Sequence, residues 1–572
     1  MKHKRIIYIL FLFSVNIAFA QKEKFQVNGA GRAFLFSNEL DIDQAIDTTT
    51  AKKSNYGHTL LDLGFSIFPN SNTEVISVFR IRNELGGFWG GGTSFNVRQL
   101  SLKGVAGNIV KYELGDIDLK LTPYTLFNSI EEGVVNESDV FAVRRDIVYY
   151  DMFYNRDNTW RMQGAKIDFG LNFTKAIKTI DFRGFITRQR PTDGILVPER
   201  LYGGGAINII QSKNLQLGFN SINLFDLTKT IQDSIKFSNS VHTTTLNYKK
   251  DVTDNLELGF KSEAGISYSN YKNYNDIFVP EKSDDWFYDA AITSNFKKQN
   301  ITVNLGYKDV GADFISPGAQ TKRINFSRSP GLFQQFTNDF VARPLSYIDF
   351  YNGNTDNAFR ITDQLMAYNV AYANTNPYGE ATPNRRGVYL DAVREDSTKF
   401  RRSFLNAAML SESIGTGTIN KKNFLVVRGG TDIYVNDFFK WKKDLKINLG
   451  MQYESTNRRG EEFQAIALNS TFLEAGLAIE MVEDFRFLVG FKSWAAKGNE
   501  FVNIRDKFNT VIDFTPVDVD FVEYVYAAGL KYNFSKKNAL TIQYEMYSIK
   551  HAANFGINYG INNFNILYSL NF

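Results

Sequence analysis

The 572-residue chain contains no cysteine, which excludes disulfides, thiolate metal centres and a lipidated amino-terminal cysteine together. Proline is scarce, at 11 residues, so little interrupts a backbone hydrogen-bond ladder. Nothing beyond the amino-terminus reaches the ~18 consecutive apolar residues that suggest a membrane-spanning helix. An excess of one charge is also missing: 65 Lys and Arg stand against 61 Asp and Glu, and nothing global points to nucleic acid as a partner. Histidine occurs four times, and His3, His58, His242 and His551 lie too far apart for their spacing to suggest a ligand set.

What is present is aromatic. Phe (50) and Tyr (29) dominate an aromatic content of 15 %, and such side chains fit the pleated surface of long strands. At the amino-terminus Lys2, Lys4 and Arg5 precede an apolar run from Ile6 to Phe13, and Ala18-Phe19-Ala20 supplies the small residues of a cleavage site. This is the pattern of a secretory signal peptide over residues 1–20, so the mature chain is expected to start at Gln21. Loss of the three basic residues leaves 62 cations against 61 anions. No Pro-rich or Gly/Ser-rich linker divides residues 21–572, which are expected to form one domain.

The carboxy-terminal stretch sets the class. Phe564, Ile566, Tyr568, Leu570 and Phe572 fall on one face and Asn563, Asn565, Ser569 and Asn571 on the other, with Leu567 out of pattern. Successive strand side chains point to opposite faces, so this strand has one apolar and one polar side. A strand of that kind ending on an aromatic residue resembles the C-terminal assembly signal of Gram-negative outer-membrane β-barrels. The resemblance implies insertion by the barrel-assembly machinery, contact with outer-membrane lipid and residence in the cell outer membrane. The composition, rich in Asn, Lys, Phe and Tyr, is similar to that of Bacteroidota outer-membrane proteins.

The same alternation recurs along the chain. Its clearest middle example sets Leu256, Leu258, Phe260, Ala264, Ile266 and Tyr268 against Glu257, Lys261 and Glu263. Short connections such as 69–73, 172–176, 251–255 and 535–538 alternate with longer ones, as periplasmic turns alternate with extracellular loops. The expected fold is all-β, a transmembrane antiparallel barrel of roughly 20 (18–22) strands, and an even number puts both termini at the short-turn end. A polar excursion runs from Lys120 to Asn158. Between Asp309 and Lys422 the period is lost. That segment, 309–422, is expected to be a large plug or surface loop, with an extra hairpin inside it as the alternative. Only a few residues separate Gln21 from the first strand candidate at Phe25, so no amino-terminal plug domain of the TonB-dependent kind is expected.

Catalytic signals are weak. His242 and His551 each have Ser nearby, as an outer-membrane hydrolase would, but a polar residue near an interface explains them as well. The acidic groups Asp41, Asp43 and Asp47, and Asp518 and Asp520, lack the spacing and glycine of a calcium loop. No catalytic, cofactor or metal residues are assigned. Arg80, Arg82 and Arg98 occupy alternating positions of neighbouring strands and are candidate pore-lining residues, since basic side chains in a pore select anions. The function expected is a porin-like channel for small polar solutes. A non-conducting barrel that scaffolds an envelope protein partner in a surface or secretion complex is the alternative, and an outer-membrane enzyme the third.

Overall fold

In the computed structural model the described residues are 24–42, 53–85, 92–128, 133–151, 158–195, 197–227, 229–230, 236–272, 281–320, 361, 365, 368–396, 399–462, 464–505, 511–551 and 558–572. Their period-two alternation becomes one sheet of 22 strands. The first eight are β1 (Phe25–Ile42), β2 (Lys53–Asn70), β3 (Thr73–Glu84), β4 (Thr93–Ala106), β5 (Val110–Leu119), β6 (Trp160–Asn172), β7 (Thr179–Arg190) and β8 (Arg200–Ile210). Next come β9 (Leu215–Asp226), β10 (Lys236–Thr253), β11 (Leu256–Lys272), β12 (Glu281–Phe296), β13 (Ile301–Val310), β14 (Arg385–Glu395) and β15 (Phe400–Ser411). The last are β16 (Asn423–Tyr434), β17 (Leu445–Arg458), β18 (Ile466–Val482), β19 (Phe485–Arg505), β20 (Val511–Ser535), β21 (Asn538–His551) and β22 (Asn558–Asn571). One helix, α1 (Asp139–Asp151), lies between β5 and β6.

Each strand pairs antiparallel with its sequence neighbours, and β1 pairs with β22 from Ala30↔Asn571 to Ile42↔Tyr559. The sheet therefore closes on itself and leaves no edge. Connections at the end holding both termini have two to ten residues, and those at the other end five to 74. In barrels of this type the short-turn end is periplasmic.

Burial is inverted relative to a water-soluble protein. Phe95, Leu305 and Met409 are 64 %, 58 % and 66 % exposed on the outer face, while Arg80, Lys308 and Lys492 are almost wholly buried inside. Such a wall has lipid outside and polar groups within, the arrangement of an outer-membrane β-barrel. The terminal strand obeys it: Phe564, Tyr568 and Phe572 are exposed on the outside, and Asn563 and Asn565 are buried inside. Leu567 breaks the sequence pattern because it turns inward onto Phe34, Phe36 and Ile147.

Two strands lie inside the segment 309–422, where the alternative of an extra hairpin had placed them: β14 and β15. Their period was masked because the inner face of β15 is apolar too. Ala408 and Leu410 pack there on Phe424 of β16, so both faces read as hydrophobic. The connection between β13 and β14 is 311–384, of which 311–320, 361, 365 and 368–384 are described. The expected signal peptide, residues 1–20, lies outside the described residues.

Candidate functional site

Two inserts turn into the barrel. One leaves the wall after β5, and its ends meet again where the Asn128 N–H donates to Asn158 O at 3.2 Å. The other leaves after β13, and its ends meet where the Asn384 N–H donates to Gly311 O at 3.0 Å. Both are therefore loops grafted onto otherwise intact hairpins. They also hold each other: the Phe127 N–H donates to Gly318 O at 3.1 Å, and Ser316 Oγ donates to Tyr124 O at 2.7 Å. The excursion at 120–158 thus contributes an inward insert of its own, which its polar sequence had concealed. Its one signal was the set of apolar residues Val135, Val140 and Phe141, which pack against Leu468, Phe472, Leu488 and Trp494 of the wall.

The wall is hollowed to receive this first insert. Gly430, Gly450, Gly476 and Gly490 lie on the inner faces of the adjacent strands β16 to β19. A methyl group at Gly430 would sit 2.6 Å from Asn136 Cβ, and at Gly476 and Gly490 it would overlap Ser138 and Val140. Polar side chains grip the backbone that lies in this trough. Glu474 Oε1 accepts the Val135 N–H at 2.9 Å and also the Asn136 N–H. Asn136 Nδ2 donates to Thr431 O at 2.9 Å and Asp432 Oδ1 at 2.8 Å. Lys492 Nζ donates to Gly133 O at 2.9 Å and Glu137 Oε1 at 2.8 Å, while Arg145 Nε reaches Glu137 Oε2 at 2.7 Å. Burial raises the Glu137 pKa, but the charges of Arg145 and Lys492 outweigh it and hold the carboxyl below its ordinary range.

The second insert is held in the same manner. Glu454 Oε2 accepts the N–H groups of Asn374 and Thr375, each at 3.1 Å. Arg385 donates from Nε to Thr375 O at 2.8 Å and from Nη2 to Asn374 O at 2.9 Å. Tyr372 OH donates to Glu523 Oε1 at 2.8 Å. Against β12, Tyr124 of the first insert stacks on Phe287 with centroids 4.0 Å apart and donates to Asp289 Oδ2 at 2.7 Å. Above these contacts, at the long-loop end, is a cavity of about 880 Å³ lined by Tyr271, Asp284, Asp313, Tyr378, Arg385 and Phe514 among others. Below them the inner wall is wet: Asp168, Arg183, Asn247, Lys249 and Lys261 have access to water, with Arg183 Nε 2.9 Å from Asp168 Oδ1.

Arg80, Arg82 and Arg98 stand on the inner face, all three buried. Arg80 makes a two-pronged pair with Asp62, Nε to Oδ1 and Nη2 to Oδ2, both at 2.8 Å. Arg98 donates to the same carboxylate and to the carbonyl of Tyr150, the penultimate residue of α1. Arg82 Nε lies 2.8 Å from Glu84 Oε1. The histidines are not brought together: His58 is buried inside and accepts from Arg32 Nε at 3.1 Å, whereas His242 lies on the outer side beside Tyr268. His551 ends β21, with its side chain outside the description. Asp520 faces Lys497 at 3.2 Å, and among the described residues no three carboxylate or imidazole groups gather as a metal site.

No family model matches the chain, and no curated protein resembles it in sequence. Solved structures similar over nearly its whole length include OpdQ of Pseudomonas aeruginosa, with TM-score 0.33, 11 % identity, and coverage of 96 % of this chain and 98 % of that one. OccAB3 of Acinetobacter baumannii has TM-score 0.33 and 11 % identity, covering 96 % and 100 %. The P pilus usher translocation pore PapC has TM-score 0.34 and 8 % identity, covering 95 % and 99 %. At these scores the likeness adds nothing to what the closed barrel shows by itself.

Proposed function

We propose that this chain is an outer-membrane, porin-like channel whose own two inserts close it at rest, and that small polar solutes pass when an insert moves. One observation carries the reading: water-accessible charged side chains line the inner wall below two loops that are grafted onto intact hairpins and turn into the barrel. A polar lumen is what an aqueous path requires. The cavity above the inserts is the outer vestibule of that path.

Because the insert ends are hydrogen-bonded to each other, either can be excised without cutting a strand. Planar-bilayer conductance is compared for the whole protein, for Δ129–157, for Δ312–383 and for the double excision. Rare openings from the intact protein and a large steady conductance from the double excision are expected. If the double excision forms a folded barrel that conducts no ions, the channel reading fails. A second reading, a sealed scaffold for an envelope partner, draws on the apolar packing of plug against wall. It predicts that the intact protein never opens under any applied voltage.

A further inference from the structure

Nine of the ten connections at the short-turn end have two to six residues, and the tenth, 435–444 between β16 and β17, has ten. Its sequence interleaves Phe438, Phe439 and Trp441 with Lys440, Lys442 and Lys443. A short helix, Val435–Phe439, ends on Lys440 in the left-handed region at φ 54°. Beyond that reversal Phe439 and Trp441 stack, with ring centroids 5.1 Å apart. The two rings remain 64 % and 53 % exposed.

The direction of this turn is fixed by its neighbours. Phe438 meets Phe400 edge-on at 5.6 Å, and Phe400 pairs with Ile433 on the side of the wall opposite to the inward Arg402↔Asp432 pair. Phe438 therefore packs on the lipid-facing side of the rim, and the exposed Phe439–Trp441 stack follows it in the chain. Cations gather around it. Lys399 Nζ lies 4.8 Å over the Phe438 ring, while the Arg401 guanidinium, 3.7 Å over the inward-facing Tyr434, stands on the pore side. The turn also carries two acids, Asp437, 3.9 Å from Arg401, and Asp444, 3.2 Å from Arg486. Lys440 and Lys442 are exposed.

Resting on the outer-membrane reading above, the geometry points to a binding site for an anionic phospholipid of the periplasmic leaflet. Phe439 and Trp441 lie at the boundary between acyl chains and headgroups, where amphipathic rings concentrate. Lys440 and Lys442 take the phosphate. An uncharged lipid satisfies the rings but leaves the lysines without a role, and a soluble protein partner leaves unexplained why Phe438 anchors the turn on the lipid side.

The test uses the full-length protein folded into vesicles that contain either brominated phosphatidylglycerol or brominated phosphatidylcholine, with the tryptophan fluorescence of each read against the Trp441→Phe variant. The Trp441 signal is expected to be quenched more strongly by the anionic lipid. Replacing Lys440 and Lys442 by Gln is expected to remove that preference, each lysine being worth about fivefold in anionic-lipid occupancy. Equal quenching by both lipids overturns the site and leaves a simple hydrophobic anchor. No quenching of Trp441 also overturns it and places the turn in the aqueous phase, free for a protein partner. Trp286, 53 % exposed on the outer face of β12, is the control. If neither lipid quenches it, the membrane barrel itself has failed, whatever Trp441 does.

Discussion

Asp62 shows how a single residue serves wall and plug together. Its carboxylate takes Arg80 in two prongs, Arg98, and the hydroxyl of Tyr150 from α1. Asp62→Asn leaves two buried guanidinium groups facing a neutral amide, and breaking a buried pair in this way costs about 3–5 kcal/mol. A lower unfolding midpoint in denaturant, together with more frequent channel openings, is the expected result. Glu137 sets a pH dependence. It is faced by Arg145 of α1, by Lys492 of β19 and by Glu474 of β18, which stands 3.7 Å from Lys492. The folded carboxyl titrates below the ordinary value of 4.5, so its contribution to docking is complete above that value and is lost as pH falls through the lower, folded one. Channel openings should increase in acid below pH 4.5, and Glu137→Gln should open more at neutral pH with a flatter acid response. A Glu137→Gln protein with an unchanged acid response would remove Glu137 from the mechanism. At this scale the inward placement of Arg80, Arg82 and Arg98 was legible, because period two fixes the face. Their partners were not, since those depend on strand register and on where an insert comes to rest.

Among the elements, the insert bearing α1 owes its seat to absent side chains, and absent side chains leave little trace in a hydrophobic pattern. Gly430, Gly450, Gly476 and Gly490 are scattered over about sixty residues and become one trough only when four strands align. Gly476→Val is the sharpest probe. Valine favours strands, so the wall should tolerate it, while its side chain takes the space of Ser138; overpacking of this kind costs about 1–3 kcal/mol. The insert should leave its seat. Protease cleavage between residues 129 and 157 should become fast, with the barrel's resistance to detergent unfolding unchanged. Slow cleavage in the variant would mean that the insert shifts without leaving. Strand pairs were legible wherever one face met lipid and the other water. They were lost at β14 and β15, where the inner face meets neighbouring apolar side chains instead. Because the two lost strands form one hairpin, the even count survived, and with it the inference that both termini share an end.

For the whole molecule the decisive event is closure, and Phe572 extends the closing β1–β22 ladder by one further pair. The Phe572 N–H donates to Gly29 O at 3.1 Å and the Gly29 N–H to Phe572 O at 3.2 Å, while the Phe572 ring lies against Gly29, where any β-carbon would collide with it. The β1–β22 seam is thus fastened at its short-turn end by a residue whose ring also lies on the outer face, 42 % exposed. Removing Phe572 takes away two of the many hydrogen bonds in the barrel, worth about 1 kcal/mol each, so the purified, folded variant should melt close to the parent. Assembly is a different matter, because closure joins the two strands most distant in sequence, and such contacts form late and slowly. The variant should therefore refold into vesicles more slowly and reach the outer membrane in lower yield, with unassembled chain degraded or accumulating in the periplasm. Parent-like yield together with a much lower melting point would reverse this assignment and make the terminal aromatic a stabilising group, with no special part in assembly.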